Sequence, residues 1–434
     1  MTIGRASNQA SLWRNGAFVR VFSASAVSYF GTFITRTALP LAAIYELKAG
    51  ALDLAALRSV EFVAWLGVGL VAGVWVDRLR RRPIMIAADL GRALLLGSIP
   101  LAYLAGNLTM AQLLAVAFLA AVLSPFFNSA STAYLPTVVE GDRLVQANGA
   151  LSAASSISEF TGFSISGFLV QILRAPIAIG GDALTSVASA ILLLTIRRPE
   201  PPRPAANERE PILHEIREGL GVVRRSPTLR ALALAHAANH VLWGVFSTTY
   251  YLFAINELGL GPVTLGLLAG LGGIGAFIGA AGASRIVRRI GAGSTMLLGL
   301  VGFTIGSALI PLAPSGAVAV ATAMLVLQQL IGDGTGVLYD IVETSLTQSI
   351  VEGRVLGRVD ATVSTFTTVT ALIGAILGGV LAEAIGLRVT IGLSVLAGAT
   401  AILFIWFSPA RRIREMPVPL SSAPLAVEDA SITE

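Results

Sequence analysis

The chain has no cysteine among its 434 residues, so disulfides, thiolate metal sites and thiol redox chemistry are excluded. It has one lysine, Lys48, and no Gly-x-x-x-x-Gly-Lys-Ser/Thr loop, so it lacks the phosphate cradle of ATP-driven machines. A Gly-x-Ser-x-Gly nucleophile elbow is missing too, which removes one common route to catalysis. Histidine is scarce. His236 and His240 stand four apart and share one helix face, but Ala237, Ala238 and Asn239 between them supply no metalloprotease glutamate. The pair reads as a polar patch lining a cavity rather than a metal site, and no metal or other cofactor is expected. Charge is the scarcest property of all. Only 13% of residues are charged, against about a quarter in soluble domains.

What fills the chain instead is apolar surface, 55% of residues. Runs of about 20 such residues recur, each long enough to cross a hydrocarbon core of about 30 Å as a helix. The 45 glycines allow those helices to pack closely. Residues 1–16 are polar, and the apolar run behind them is too long for a signal-peptide core, so an uncleaved first span is expected. The net charge of +5 fits loops facing anionic lipid headgroups rather than nucleic acid.

Polar, Gly and Pro punctuation divides the chain into spans near 18–45, 54–76, 84–105, 111–135, 148–172 and 177–196. A second set follows near 229–256, 262–283, 292–313, 316–341, 359–385 and 387–407. The fold expected is all-α, a polytopic membrane protein of 12 transmembrane helices in two pseudo-symmetric six-helix bundles. One bundle occupies 1–196 and the other 229–407. A linker loop rich in Pro, Arg and Glu occupies 197–228, and a tail occupies 408–434. Arginines gather in alternate loops, with Lys48, Arg58, Arg174 and Arg388 falling on the other side. The positive-inside bias then puts linker, tail and both termini in the cytoplasm.

The halves carry traces of duplication. Val139-Glu140-Gly141 recurs 212 residues later as Val351-Glu352-Gly353, and at the same offset Gly162 and Gly167 fall on Gly374 and Gly379. Asp77-Arg78 and Arg81-Arg82 fall on Ser284-Arg285 and Arg288-Arg289 at an offset of 207. Equal offsets at equivalent places point to a parallel repeat.

One dense charged motif lies between spans 2 and 3: Gly73, Asp77, Arg78, Arg81 and Arg82, running on to Asp89 and Arg92. Its Gly-x-x-x-Asp-Arg-x-x-Arg-Arg spacing resembles the same loop in the major facilitator superfamily of secondary transporters. With Thr35-Arg36-Thr37-Ala38-Leu39-Pro40, Leu144-Val145-Gln146-Ala147-Asn148 and Leu356-Gly357-Arg358-Val359, the chain looks like that superfamily's macrolide-efflux and siderophore-exporter branch. The resemblance implies that the loop stabilises one gate, its acid and arginines bridging cytoplasmic helix ends. Asp77 can face a helix N-terminus, and the arginines can pair with acids such as Asp89. The simpler reading is that they only hold topology. Two features depart from the branch: Gly31-Thr32 lacks an acid in span 1, and Gly162-Phe163 with Ser166-Gly167 lacks the proline of the antiporter signature.

Charges inside spans are costly unless paired or wet, so each is a functional candidate. Arg36 and Glu61 could pair. Glu159 lies mid-span 5, where its repeat equivalent is Ala371, and that asymmetry makes it the leading proton carrier; a structural hydrogen bond to nearby serines is the alternative. Asp333 is bracketed by Gly332 and Gly334 in span 10, while Asp340 and Glu343 lie nearer the end and suit gate pairing. Tyr29, Phe30, Phe33, Phe126, Phe127, Asn128, Asn239, Trp243, Phe246, Tyr250 and Tyr251, with the two histidines, are candidates for a substrate cavity. Such aromatic faces suit an amphipathic solute, although part of the set will only pack helices.

The function expected is secondary active transport, the proton-coupled export of a drug-like or siderophore-like molecule by a monomer in a bacterial inner membrane. Its partners are then the small-molecule substrate, protons and the lipid bilayer, with no nucleic acid. A nutrient or metabolite importer on the same fold is one alternative, and a membrane sensor or enzyme without transport is another.

Overall fold

The computed structural model describes residues 12–139, 143–196 and 212–415, with side chains at 69–74, 76–78, 212–216 and 354 left out. Twelve long helical runs stand where the apolar runs predict them. Those of the first half are α1 (Gly16–Leu47), α2 (Ala51–Arg78), α3 (Arg81–Leu104), α4 (Met110–Val138), α5 (Leu144–Leu173) and α6 (Ala175–Leu194). A helix inside the polar linker follows, α7 (Ile212–Arg225). The second half contains α8 (Pro227–Asn256), α9 (Pro262–Ile290) and α10 (Ala292–Leu312). Its tenth span runs through α11 (Val318–Gln328), a π turn (Gln329–Asp333) and α12 (Gly334–Ile350). Helices α13 (Gly353–Ile385) and α14 (Leu387–Trp406) complete it. Among the described residues, ten of these spans are long and apolar enough on their own to cross a membrane. Helices α2 and α8, of 28 and 30 residues, pack among them.

Local chemistry sets the helix ends. Asn15 caps α1 by accepting from the amides of Ala17 and Phe18 at 3.1 and 3.3 Å, and its Nδ2 donates to the Val138 carbonyl at 2.6 Å. Thr109 caps α4, and Ser226 caps α8 ahead of Pro227. Such caps satisfy amides that have no partner within the helix. Helices α5 and α6 are joined by the single residue Arg174, with φ 69° and ψ 156°. Its counterpart at the offset of 212 is Gly386, which joins α13 to α14 with φ 85° and ψ 158°. Only glycine adopts that region cheaply, so the first half carries strain at a turn that the second half makes freely.

Packing repeats as the turns do. In the first half α1 packs on α5 and α6, α3 on α4 and α6, and α2 on α4. In the second, α8 packs on α13 and α14, α10 on α12 and α14, and α9 on α12. The halves meet where α5 crosses α9 and where α13 crosses α2, again equivalent pairs. Gly162 and Gly374 let α5 and α13 approach α1 and α8 within each half. Gly167 meets Gly266 and Pro262 across the first seam, and Gly379 meets Ala51 and Ala55 across the second. Small residues at such crossings bring backbones together where no hydrophobic drive exists between helices in lipid.

Three apolar cores follow. One spans both halves at the end remote from the termini, from Ala38, Leu41 and Leu57 to Phe253, Leu265 and Ile391. Near the terminal end the cores are separate, one around Phe18, Phe127 and Tyr134, the other around Leu232, Met296 and Tyr339. Large apolar side chains such as Leu94 and Phe277 face outward, as lipid contact requires. On the terminal side α7 lies against α13, with Gly219 on the Arg358 carbonyl and Glu218 paired to Arg358.

Candidate functional site

Beneath the shared core, between the halves, lies a cavity of about 440 Å³, a size that suits a small molecule. The first half supplies Arg36 from α1, Arg58 from α2, and Glu159 and Phe163 from α5. The second supplies Trp243, Phe246, Tyr250 and Tyr251 from α8, Gly272 from α9, and Gln328, Gln329, Asp333 and Asp340 from span 10. Aromatic groups form one wall. Phe246 lies 4.5 Å from Tyr250, centroid to centroid, and Trp243 meets Phe62 of α2 edge-on at 6.0 Å.

The charges come from opposite sides. Glu159 interacts electrostatically with Arg36 of its own half and with Asp333 of the other, so two carboxyl groups meet across the halves beside one guanidinium. Arg36 lies over the Phe33 ring at 5.7 Å. Among the described residues it makes no hydrogen bond, and the residue is exposed and lines the cavity. Arg58 is already committed, donating to Glu61 at 2.8 Å and to the Ser247 carbonyl at 3.3 Å.

Asp333 owes its position to the π turn, which inserts an extra residue into span 10. Bulges of this kind recur at functional sites. Gln329 fastens the turn by donating to the Leu268 carbonyl at 2.7 Å. Gly272 leaves room beside it, because a Cβ there would overlap the Asp333 carboxylate and the Gln329 amide.

The structure sorts the predicted residues. Arg36, Glu159, Asp333, Trp243 and Tyr250 line one cavity. Phe33 sits just behind it, edge-on to Phe163 at 5.2 Å. The Arg36–Glu61 pair does not form, since Arg58 lies one turn from Glu61 on the same helix. Arg58 belongs to the cavity wall and not to an outer loop. Phe127 is 1% exposed in the first half's terminal-side core, so it packs helices and does not meet solute. Tyr29, Asn128 and Asn239 do not line the cavity. His236 and His240 stack at 4.5 Å and face a second pocket with Asp360 and Thr367.

Of the gate motif, the side chains of Gly73, Asp77 and Arg78 lie outside the described residues. Arg82 donates to the Leu193 and Leu194 carbonyls at 2.8 and 2.7 Å, tying α3 to the end of α6. Asp89 and Arg92 lie inside the first half and not at the loop. Both are buried between α1, α3 and α6, where Arg92 pairs with Asp182 at 3.2 Å. Asp182, a charge within a span, could have been found by the rule that singled out Glu159. Gln328 and Gln329 carried a fainter signal, two adjacent amides in an apolar run.

Residues 21–359 match the sequence profile of the Major Facilitator Superfamily. Macrolide efflux protein A of Streptococcus pyogenes is 26% identical over 220 residues, covering 50% of this chain and 53% of that protein. The chain thus spans about half the length of the macrolide efflux proteins it matches. The multidrug efflux pump Tap of Mycolicibacterium fortuitum is 27% identical over 312 residues, 68% of this chain and 73% of the pump. The nucleoside transporter NupG superposes with a TM-score of 0.74 at 13% identity, over 90% of this chain and 99% of that one. A bacterial homologue of the iron transporter ferroportin, in an inward-facing state, superposes with a TM-score of 0.70 at 19% identity, over 92% and 99%. At these identities the structural likeness is one of fold.

Proposed function

The chain belongs to the major facilitator superfamily, and on that premise we propose that it is a proton-coupled exporter of drug-like molecules working by alternating access. The observation that carries this reading is the charge balance of the cavity: Glu159, Asp333 and Asp340 line it with Arg36 and with Arg58, whose charge Glu61 takes. Negative charge is left over in a site of low dielectric, and leaving it unbalanced is costly. A proton or a cationic solute can neutralise it, and once one has done so the other gains little. Competition of that kind makes exchange: the solute displaces the proton on one side, and the proton displaces the solute on the other. The aromatic wall gives an amphipathic cation both apolar surface and ring faces.

Separate cores at the terminal end and a shared core at the other support a cavity reached from the terminal side. With both termini cytoplasmic, this is the inward-facing state that loads a solute for export. Rocking about the α5–α9 and α2–α13 seams exchanges the two ends. Each domain of the exchange is one six-helix half, 1–196 or 229–407, joined by the 197–228 linker, and the monomer is the working unit.

The unengaged guanidinium of Arg36 favours a second reading, an anionic siderophore-like cargo. Inverted membrane vesicles with an acidic lumen separate the two readings when offered a fluorescent cationic dye, a macrolide and a carboxylate siderophore. Accumulation of dye and macrolide that an uncoupler abolishes is expected. Accumulation of the siderophore alone would replace the cationic class with the anionic one, and uptake by right-side-out vesicles would make the protein an importer.

A further inference from the structure

The core of the first half holds a polar cluster that lies away from the cavity. Asp89 and Asp182 are both 0% exposed and Arg92 is 4% exposed. Asp182 is fully satisfied. Arg92 Nη2 donates to both its oxygens at 3.2 Å, Thr35 donates at 2.7 Å and Ser186 at 3.3 Å. Asp89 is not. Ser28 donates to Oδ1 at 3.2 Å and the Ser189 hydroxyl lies close enough to Asp89 to interact with it, but no hydrogen bond of good geometry reaches Oδ2.

One guanidinium therefore serves two sealed carboxyl groups, and its direct contacts go to Asp182. Arg92 reaches Asp89 only through Ser28, whose hydroxyl accepts from Nη1 at 3.3 Å. No further charge makes up the difference. Arg92 and Asp182 are the charged groups facing Asp89 from α3 and α6. Helix α1 presents Ser28 and Thr32 to the cluster, and α4 has no ionisable side chain except Tyr134. A buried anion that shares its one counter-charge with a second anion is costly, and a proton on Oδ2 removes that cost while providing a donor for Ser189.

We propose that Asp89 is a proton-binding site within the first half, distinct from the cavity carboxyls. The bond formed is between Asp89 Oδ2 and a proton taken from water, and the same proton returns to water when the site empties. From Asp89 the hydrogen bonds run through Ser28, Arg92 and Asp182 to Thr35, the residue before Arg36. When Asp89 ionises, it competes with Asp182 for Arg92, so the packing of α3 against α1 and α6 depends on occupancy. The role of this site in transport rests on the exporter reading; its protonation does not.

Infrared difference spectroscopy of the full-length protein in lipid nanodiscs, titrated with pH in light and heavy water, tests the assignment. A protonated-carboxyl carbonyl band is expected in wild type and in the Glu159→Gln/Asp333→Asn double variant. It should vanish in Asp89→Asn and shift in Asp89→Glu. Identical carboxyl bands in wild type and Asp89→Asn would overturn the proposal. Should Asp89→Asn fail to fold, Asp89→Glu decides, because an unshifted band there would overturn it equally. A band that behaves as expected in a protein that moves no solute would leave the site standing and refute the exporter reading.

Discussion

Glu159 and Asp333 reach one cavity from opposite halves, and both stood out in the sequence because a charge inside an apolar run is expensive. Glu159→Gln removes one of the three carboxyl groups that line the cavity. Gradient-driven uptake should then fall by roughly 5- to 150-fold, the range of a coupling free energy of about 1–3 kcal/mol, while solute binding at fixed pH persists; uptake assays paired with equilibrium binding check this. What the sequence could not convey was which cation each acid would meet. Glu61 found Arg58 at 2.8 Å one turn away, a contact set by helix geometry that leaves Arg36 free for the cavity. Asp182 is where pairing matters for stability. Asp182→Ala takes from Arg92 its one directly bonded carboxylate and should cost about 3 kcal/mol, the low end for a broken buried pair because Asp89 stands nearby, seen as a lower melting temperature in detergent. Arg174 offers the opposite sign. Its backbone sits where only glycine is unstrained, a cost of about 1–3 kcal/mol, and its ion pair with Glu46 at 3.6 Å is solvent-facing, so Arg174→Gly should raise the melting temperature.

At the scale of elements, the twelve spans were legible as long runs poor in charge between polar, Gly and Pro punctuation, ten of them apolar enough on their own to cross a bilayer among the described residues. The π turn was not. Periodicity cannot report one extra residue in a helix, and Gly332-Asp333-Gly334 marked only a loosened stretch. Span 10 accordingly runs on to Ile350, beyond the predicted 341. The helix α7 also escaped notice, since a segment of 14 residues with arginines in its last turn reads as polar linker. The glycines at offset 212 proved informative in pairs: Gly167 and Gly379 hold the two seams. Gly167→Leu or Gly379→Leu should wedge a seam apart and shift the population toward closure at the terminal end. Spin labels at Ser152→Cys and Ser284→Cys can be attached directly, because the native chain has no cysteine. The label distance should shorten in either glycine variant, and an unchanged distribution would remove the seams from the gating scheme.

For the whole molecule, duplication is the organising fact. Every major packing pair in one half has its counterpart in the other, yet the chemistry is asymmetric. Glu159 has Ala371 as its repeat partner, and Met296 and Gly299 stand at the offset of 207 from Asp89 and Arg92. In the exporter proposed above, the repeat supplies two similar bodies that rock, and the departures from it supply the charges that couple rocking to protons. Fold was legible because hydropathy and repeat offsets survive in sequence, whereas the cavity depends on side chains from eight helices meeting at one level, which no local pattern encodes. Proton movement is the most direct test. Proteoliposomes loaded with a pH-sensitive dye, acidic inside and clamped at zero potential, receive a cationic substrate outside. Coupled exchange predicts that the lumen turns alkaline as substrate enters, in wild type but not in Glu159→Gln. Substrate entry with no change in lumen pH in wild type would contradict it.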